Sequence, residues 1–96
     1  MKKNAIVLNV ARGPVVDENA LYEALTEERI AGAGLDVLEE EPIRADNPLG
    51  KIKDSSRLII TPHMAWASVE ARTRDVQISC ENIRAFLAGE KKNRIC

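Results

Sequence analysis

Four polar side chains stand in or just after three short apolar runs of this sequence, at positions where a folded protein could use them for chemistry. Arg12 follows the first run, Asp36 and Glu41 lie within and just after the second, and His63 ends the third. An arginine offers a planar fork that matches a carboxylate, and a carboxylate beside a histidine favours the protonated imidazolium. Since His63 is the only histidine in the chain, the set predicts general acid–base catalysis on an anionic substrate.

Each of these side chains also has a purely structural interpretation. Arg12 could be a solvated or ion-paired surface residue, Glu41 part of a solvated acidic loop, and His63 a structural histidine. Trp66 could be a packing residue, as indoles commonly are. Asp36 is harder to explain in this way, because a carboxylate inside an apolar strand must find a donor or a ligand. Their common position at strand ends keeps a functional site open beside these alternatives.

The spacing of apolar residues predicts an α/β fold. Short, nearly continuous apolar runs are typical of strands buried on both faces of a parallel sheet, and apolar residues three and four positions apart are typical of helices. These patterns place strands near 5–10, 33–38 and 58–62, and helices near 17–29 and 68–88. Strand, helix and strand in this order form the βαβ unit of a doubly wound sheet, in which the carboxyl ends of the strands meet at one edge.

The predicted helices carry end signals. Asp17 and Ser68 are side chains that commonly cap helix N-termini. Gly89 suits the left-handed position that follows a helix C-terminus. Ile30 and Gly32 are expected to close the first helix.

Length and charge limit the function classes. The 96 residues, 45% of them hydrophobic, allow one small globular domain, and the net charge of −1 argues against a nucleic-acid or anionic-membrane surface. No apolar run approaches the ~18 residues of a membrane-spanning helix, and no signal peptide opens the chain. Cys80 and Cys96 lie far apart without a CxxC motif. The sequence therefore predicts two reduced thiols in a cytoplasmic protein, with neither a disulfide nor a metal site.

Three separate motifs give the chain a resemblance to a known family. They are NVARGPVVDE at 9–18, AGAGLDV at 31–37 together with the pair Glu41–Pro42, and TPH at 61–63. In residue type, order and spacing they resemble the D-isomer-specific 2-hydroxyacid dehydrogenases over nearly the whole chain. MAWA at 64–67 and DNPL at 46–49 are most similar to the glycerate dehydrogenase, or hydroxypyruvate reductase, branch of that family.

The resemblance implies a fold and an activity. This chain would be the C-terminal half of a doubly wound (Rossmann) parallel sheet plus a long closing helix. The reaction would be hydride transfer between NAD or NADP and a small 2-oxo or 2-hydroxy acid, with hydroxypyruvate, D-glycerate or glyoxylate as substrate. The full-length family member is expected to be a homodimer, with neither nucleic-acid nor membrane partners.

The resemblance also assigns roles to individual residues. Arg12 would hold the substrate carboxylate and carbonyl, His63 would be the acid/base that protonates the carbonyl oxygen, and Glu41 would be its partner. Asp36 would contact the nicotinamide carboxamide. The residues expected to bind the cofactor are Val10, Ala11, Arg12, Asp36, His63, Met64, Ala65 and Trp66.

Parts of the family pattern are missing from these 96 residues. They contain no GxGxxG turn for the pyrophosphate, no residue that separates NAD from NADP, and no substrate domain. A three-stranded parallel sheet would also have open edges, which natural proteins avoid. We therefore expect the C-terminal part of a larger enzyme, inactive by itself. An NAD(H)-binding corepressor-like module of the same family and an inactive truncated remnant are the alternatives.

Overall fold

The structure of the chain, a computed structural model, describes residues 1–54 and 56–95. The chain divides into two compact units, Met1–Met64 and Ala65–Cys96. The first unit contains a sheet and a helix, and the second is built on one long helix.

The sheet of the first unit is parallel. Its strands are β1 (Ile6–Asn9), β2 (Gly32–Leu35) and β3 (Leu58–Ile60), and β2 lies between the other two. Helix α1 (Glu18–Thr26) stands between β1 and β2 in the chain. The α/β class predicted from the apolar pattern is therefore confirmed.

The core of this unit forms from α1, the sheet and a single-turn helix at Pro48–Lys51. Leu25 of α1 and Leu49 of the single-turn helix are each only 1% exposed. Complete burial of a leucine contributes about 1.5–3 kcal/mol, so these two are major stabilising residues of the unit. The buried cluster consists of Leu21, Leu25, Ile30, Ala33, Leu35, Leu38, Leu49 and Leu58.

Strand β2 ends three residues earlier than the apolar run predicts. Thr61 N still donates to Leu35 O at 2.9 Å, but the chain then turns. The His63 N–H, which would continue the ladder, donates instead to Thr61 O at 3.0 Å. Asp36 is buried and lies just beyond β2, whereas the sequence placed it inside the strand.

Helix α1 also ends earlier than predicted, at Thr26 rather than near residue 29. Glu28 takes a φ of 56°, and the N–H groups of Glu28 and Arg29 return to carbonyls of the last turn at 3.3 and 2.9 Å. This is the Schellman pattern of a helix C-terminus, which usually has glycine at the left-handed position. The prediction that Ile30 and Gly32 close the helix is wrong, because a glutamate gives no sequence signal for this stop.

The other three helix-end predictions are confirmed. Asp17 accepts from two backbone N–H groups at the start of α1, at 2.9 and 3.0 Å. Ser68 Oγ accepts from Ala71 N at 3.1 Å at the start of helix α2 (Val69–Leu87). Gly89 follows α2 with a φ of 76°.

Helix α2 is mostly exposed. Ala85 is its one buried residue, and apolar side chains such as Val76 and Ile83 are exposed. Cys80 is an exposed free thiol, and Cys96 lies outside the described residues. Among the helices that the structure describes, none combines the length and the apolar character needed to cross a membrane.

Candidate active site

The strand register brings two of the predicted catalytic segments to one edge of the sheet. Asn9 is aligned with Leu35, and Leu35 with Ile60, so the three strands end side by side. The segments that carry Arg12 and His63 therefore leave the sheet at the same edge. Open α/β sheets hold their ligands at this edge, outside the carboxyl ends of the strands.

Glu41 and His63 form a hydrogen-bonded pair. His63 Nδ1 lies 2.8 Å from Glu41 Oε2, and Leu38 N donates to Glu41 Oε1 at 2.9 Å. Because a carboxylate oxygen only accepts, Nδ1 of His63 carries the proton in this pair.

The surroundings of Glu41 keep its carboxylate ionised. The hydrogen bond from His63 lowers the pKa of Glu41 from its ordinary value, and the Leu38 N–H lowers it further. The nearby charge of Asp36 opposes this shift more weakly. Since both side chains of the pair are about two-fifths exposed, at 38% and 41%, solvent screens their attraction.

Asp36 fixes the turn that carries His63. Its Oδ1 accepts from the Thr61 hydroxyl at 2.5 Å and from Met64 N at 2.9 Å. Between these two anchors the chain passes through His63 with a φ of 52°, in the left-handed region. The Asp36 carboxylate thus binds one residue before His63 in the chain and one residue after it.

Asn9 does the same for the turn that carries Arg12. Its Nδ2 donates to Arg12 O at 2.9 Å, and its Oδ1 accepts from Ala11 N at 3.1 Å. Asn9 is buried, whereas the Arg12 side chain is exposed and donates from Nη1 to Ala11 O at 2.8 Å. The buried amide shapes the turn and leaves the guanidinium on the surface.

Gly13 permits a close approach between this turn and the segment after β2. A Cβ at Gly13 would lie 1.9 Å from Leu38 O and 2.4 Å from Glu39 N. Any larger residue would therefore displace the peptide whose neighbour holds Glu41. This contact links the segment of Arg12 with that of Glu41.

The structure brings the predicted residues together to different degrees. Glu41 contacts His63, and Asp36 contacts the His63 turn. Val10 and Met64 are exposed in the first unit, while Ala65 and Trp66 belong to the second unit. The cofactor-binding roles of these residues remain predictions. No group of three or more potential metal-binding side chains is found in the described part of the chain.

Three polar residues that help to build this site, Asn9, Thr61 and Glu18, are not among the predicted site residues. Asn9 stands at the end of an apolar strand, and the argument applied to Asp36 would have found it. Thr61 and Glu18 gave no such signal, because both are ordinary surface residue types. Only the folded chain shows that Thr61 donates to Asp36 and that Glu18 is buried.

A parallel sheet with a helix between its first two strands is the arrangement found in one half of a dinucleotide-binding α/β domain. The profile of the D-isomer specific 2-hydroxyacid dehydrogenases, NAD binding domain, matches residues 1–65. The chain belongs to this family, as the three motifs predicted.

Similar proteins support the same assignment. The glyoxylate reductase of Korarchaeum cryptofilum is 51% identical over 90 residues, 94% of this chain and 26% of that protein. The glycerate dehydrogenase of Methylorubrum extorquens is 46% identical over 93 residues, 97% of this chain and 29% of that protein. The structure of the NADPH-dependent glyoxylate/hydroxypyruvate reductase of Sinorhizobium meliloti, in complex with NADP and malonate, aligns with a TM-score of 0.62 at 38% identity, covering 88% of this chain and 25% of that one. The chain thus spans little more than a quarter of these curated relatives.

Proposed function

We propose that the protein works in a dehydrogenase that transfers hydride between NAD or NADP and a small 2-oxo or 2-hydroxy acid. The observation that carries this proposal is the Glu41–His63 pair, 2.8 Å apart, at the strand edge that also presents Arg12. Glyoxylate and the hydroxypyruvate/D-glycerate couple are the candidate substrates, because they match the names of the similar proteins.

Three side chains have separate roles in the proposed reaction. Arg12 binds the substrate carboxylate with its planar fork and holds the reacting carbonyl in place. His63 donates the proton on Nε2 to the carbonyl oxygen during reduction and takes it back during oxidation. Glu41 accepts a hydrogen bond from Nδ1, which fixes the orientation of the imidazole.

The sheet edge fits the nicotinamide end of the cofactor. Val10 and Met64 are exposed apolar side chains suited to a flat ring, and the Asp36 carboxylate suits a carboxamide N–H. Nicotinamide supplies the hydride in reduction and accepts it in oxidation. For Ala11, Ala65 and Trp66, the cofactor-binding role rests on the family resemblance alone. The choice between NAD and NADP depends on residues that the 96 positions do not include.

The rest of such an enzyme must come from other residues. We propose that residues 1–96 are a partial NAD(P)-binding domain, and that the GxGxxG half and the substrate domain lie in further sequence of a longer polypeptide. The coverage of 26% and 29% of the similar proteins supports this division. The 96 residues alone are expected to have no turnover.

The test is a kinetic assay of the full-length protein that contains this chain. Oxidation of NADH and of NADPH is followed with glyoxylate and with hydroxypyruvate. His63→Ala should lower kcat by about 10²–10⁴-fold with cofactor affinity nearly unchanged, because the proton donor alone is removed. Glu23→Gln, at an exposed side chain of α1, is the control and should keep native rates.

Two results would contradict the proposal. Native turnover in His63→Ala would remove the histidine from the mechanism. Tight NAD(H) binding without any turnover in the unmodified protein would instead favour the corepressor-like module.

A homodimer and a cytoplasmic location are further parts of the proposal. Exposed apolar side chains on α2, such as Val76 and Ile83, offer surface for a partner subunit. The exposed free thiol of Cys80 suits a reducing compartment. Light scattering of the full-length protein and cell fractionation test the two statements; a monomer or a membrane-bound protein would contradict them.

A further inference from the structure

Glu18 is buried, 9% exposed, and has no part in the acid–base chemistry described above. It is the first residue of α1, but the helix cap does not need it, because Asp17 already accepts from the N–H groups of the first turn. Its carboxylate instead holds a distant segment. Oε1 accepts from Glu39 N at 2.8 Å, and Oε2 accepts from Asn47 Nδ2 at 2.6 Å.

The peptide between Leu38 and Glu39 links Glu18 to the acid–base pair. The N–H of Leu38 donates to Glu41 Oε1 at 2.9 Å, and the next N–H along the chain, that of Glu39, donates to Glu18. Two successive backbone donors thus join the carboxylates of Glu18 and Glu41. The Glu39 N–H belongs to the Leu38–Glu39 peptide and the Leu38 N–H to the peptide before it, so the two hydrogen bonds lie on adjacent peptide planes that share the Leu38 Cα.

The same peptide packs against Gly13, where a Cβ would lie 1.9 Å from Leu38 O. Its room for movement on that side is therefore small. The second oxygen of Glu18 is anchored as well, since Asn47 Oδ1 accepts from the backbone N–H of the buried Leu49 at 3.0 Å. Because both oxygens are engaged, the carboxylate has a fixed orientation.

We infer that Glu18 is a positioning residue: it fixes the Leu38–Glu39 peptide so that the Leu38 N–H holds the Glu41 carboxylate against His63. The catalytic meaning of this arrangement rests on the proposed function. The arrangement itself rests on four hydrogen bonds and one close backbone contact within the first unit.

The decisive measurement is the pKa of Glu41, obtained from its carboxyl NMR signal as a function of pH in the 96-residue chain. The groups that act on this pKa are His63, the Leu38 N–H and, through its charge, Asp36. Glu18→Met keeps the side-chain length but removes both acceptors, so the Leu38 N–H loses its position. The pKa of Glu41 should then rise toward its ordinary value.

A matched variant separates positioning from simple electrostatics. Glu18→Gln removes the same negative charge but keeps a carbonyl oxygen for the Glu39 N–H. Loss of a nearby negative charge alone would lower the pKa of Glu41, so electrostatics predicts the same decrease in both variants. Positioning predicts a rise in Glu18→Met and a value at or below the native one in Glu18→Gln.

Asp17→Ala controls for destabilisation of the helix start. It removes the cap of α1 without touching the Leu38–Glu39 peptide, so the melting temperature should fall while the pKa of Glu41 stays unchanged. A folded Glu18→Met chain with a native pKa at Glu41 would overturn the inference. If that variant does not fold, Glu18→Asp decides, because its shorter side chain withdraws the acceptor and should also raise the pKa.

The catalytic consequence is measured separately in the full-length protein. Glu18→Met should lower kcat by about 10–100-fold with little change in KM, because the acid–base pair is misaligned while substrate binding through Arg12 remains. Glu18→Gln should restore most of the rate. An active enzyme in which Glu18→Met keeps the native kcat would overturn this consequence. A full-length protein without any activity, together with the expected pKa shift, would overturn the proposed function and leave the positioning role intact.

Discussion

Asn9 and Asp36 are buried polar side chains that hold the two turns of the candidate site, but they act over different distances along the chain. The Asn9 side chain bonds to Ala11 and Arg12, two and three residues away. Asp36 bonds to Thr61 and Met64, 25 and 28 residues away. The arginine turn is therefore a local structure of one strand end, whereas the histidine turn requires β2 and β3 to be paired.

The difference in charge follows from the groups that each side chain must satisfy. Asn9 meets one donor and one acceptor, which suits an amide with both functions. Oδ1 of Asp36 meets two donors, which suits a carboxylate. Exchange of the two residue types would therefore harm the arginine turn more than the histidine turn.

The largest effect on stability is expected from Asp36→Ala. The Thr61 hydroxyl and the Met64 N–H would both lose a charged acceptor, which costs about 3 kcal/mol at roughly 1.5 kcal/mol for each bond. Urea unfolding of the 96-residue chain measures this loss. Asp36→Asn keeps an oxygen that both donors can use, so its loss of stability should be less than half of the loss in Asp36→Ala. Equal losses in the two variants would contradict the assigned role of Oδ1.

Asn9→Ala should cost less, about 2 kcal/mol, because both of its lost hydrogen bonds join neutral groups. Asn9→Asp is the informative comparison in the same urea assay. Its carboxylate can still accept from Ala11 N but would face the carbonyl oxygen of Arg12, so it should be less stable than Asn9→Ala. If Asn9→Asp is instead more stable than Asn9→Ala, the two turns do not differ in the way described.

Thr61→Val tests one bond of the histidine turn at nearly constant shape. The variant removes the hydroxyl that donates to the Asp36 carboxylate and should lower stability by about 1.5 kcal/mol. Thr26→Val is the matched control, since the Thr26 hydroxyl donates to carbonyls on the exposed face of α1. A surface change of this kind should stay within about 0.5 kcal/mol. Equal losses of stability in Thr61→Val and Thr26→Val would show that the bond from Thr61 to Asp36 does not stabilise the histidine turn.

The smallest effect is the pH dependence that the Glu41–His63 pair confers. The pKa of Glu41 is lower in the folded chain, chiefly because of the hydrogen bond from His63. The pair therefore stabilises the fold above the unfolded pKa of Glu41, and this contribution is lost as the pH falls through the folded value. His63→Gln should raise the pKa of Glu41 and flatten the fall of stability in acid. An unchanged acid profile would show that the pair adds nothing to stability.

Much of this arrangement is local enough to be predicted from sequence. Asp17, Ser68 and Gly89 act within one turn of their helices, and their residue types alone predict those roles. Glu28 could not be predicted as a helix stop, since its left-handed conformation depends on how the chain enters β2. Glu18 could not be predicted as a buried residue, because its partners Glu39 and Asn47 are 21 and 29 positions away.

The same distinction between local and distant contacts applies to the candidate site. Arg12, Asp36, Glu41 and His63 were predicted by residue type at strand ends. Their hydrogen-bond partners depend on the pairing of β2 with β3 and on the path of the loop after β2. A single sequence without relatives contains no information on contacts of that range.

The hydrogen bonds described above for the side chains of Asn9, Glu18, Asp36 and Glu41 have both partners within residues 9–64. The site geometry can therefore be exchanged as one block. A graft of this stretch into a similar reductase would carry these hydrogen bonds with it, provided that the joins fall before Asn9 and after Met64, which are both members of the network. Recombination between family members could change the substrate domain while this block stays constant.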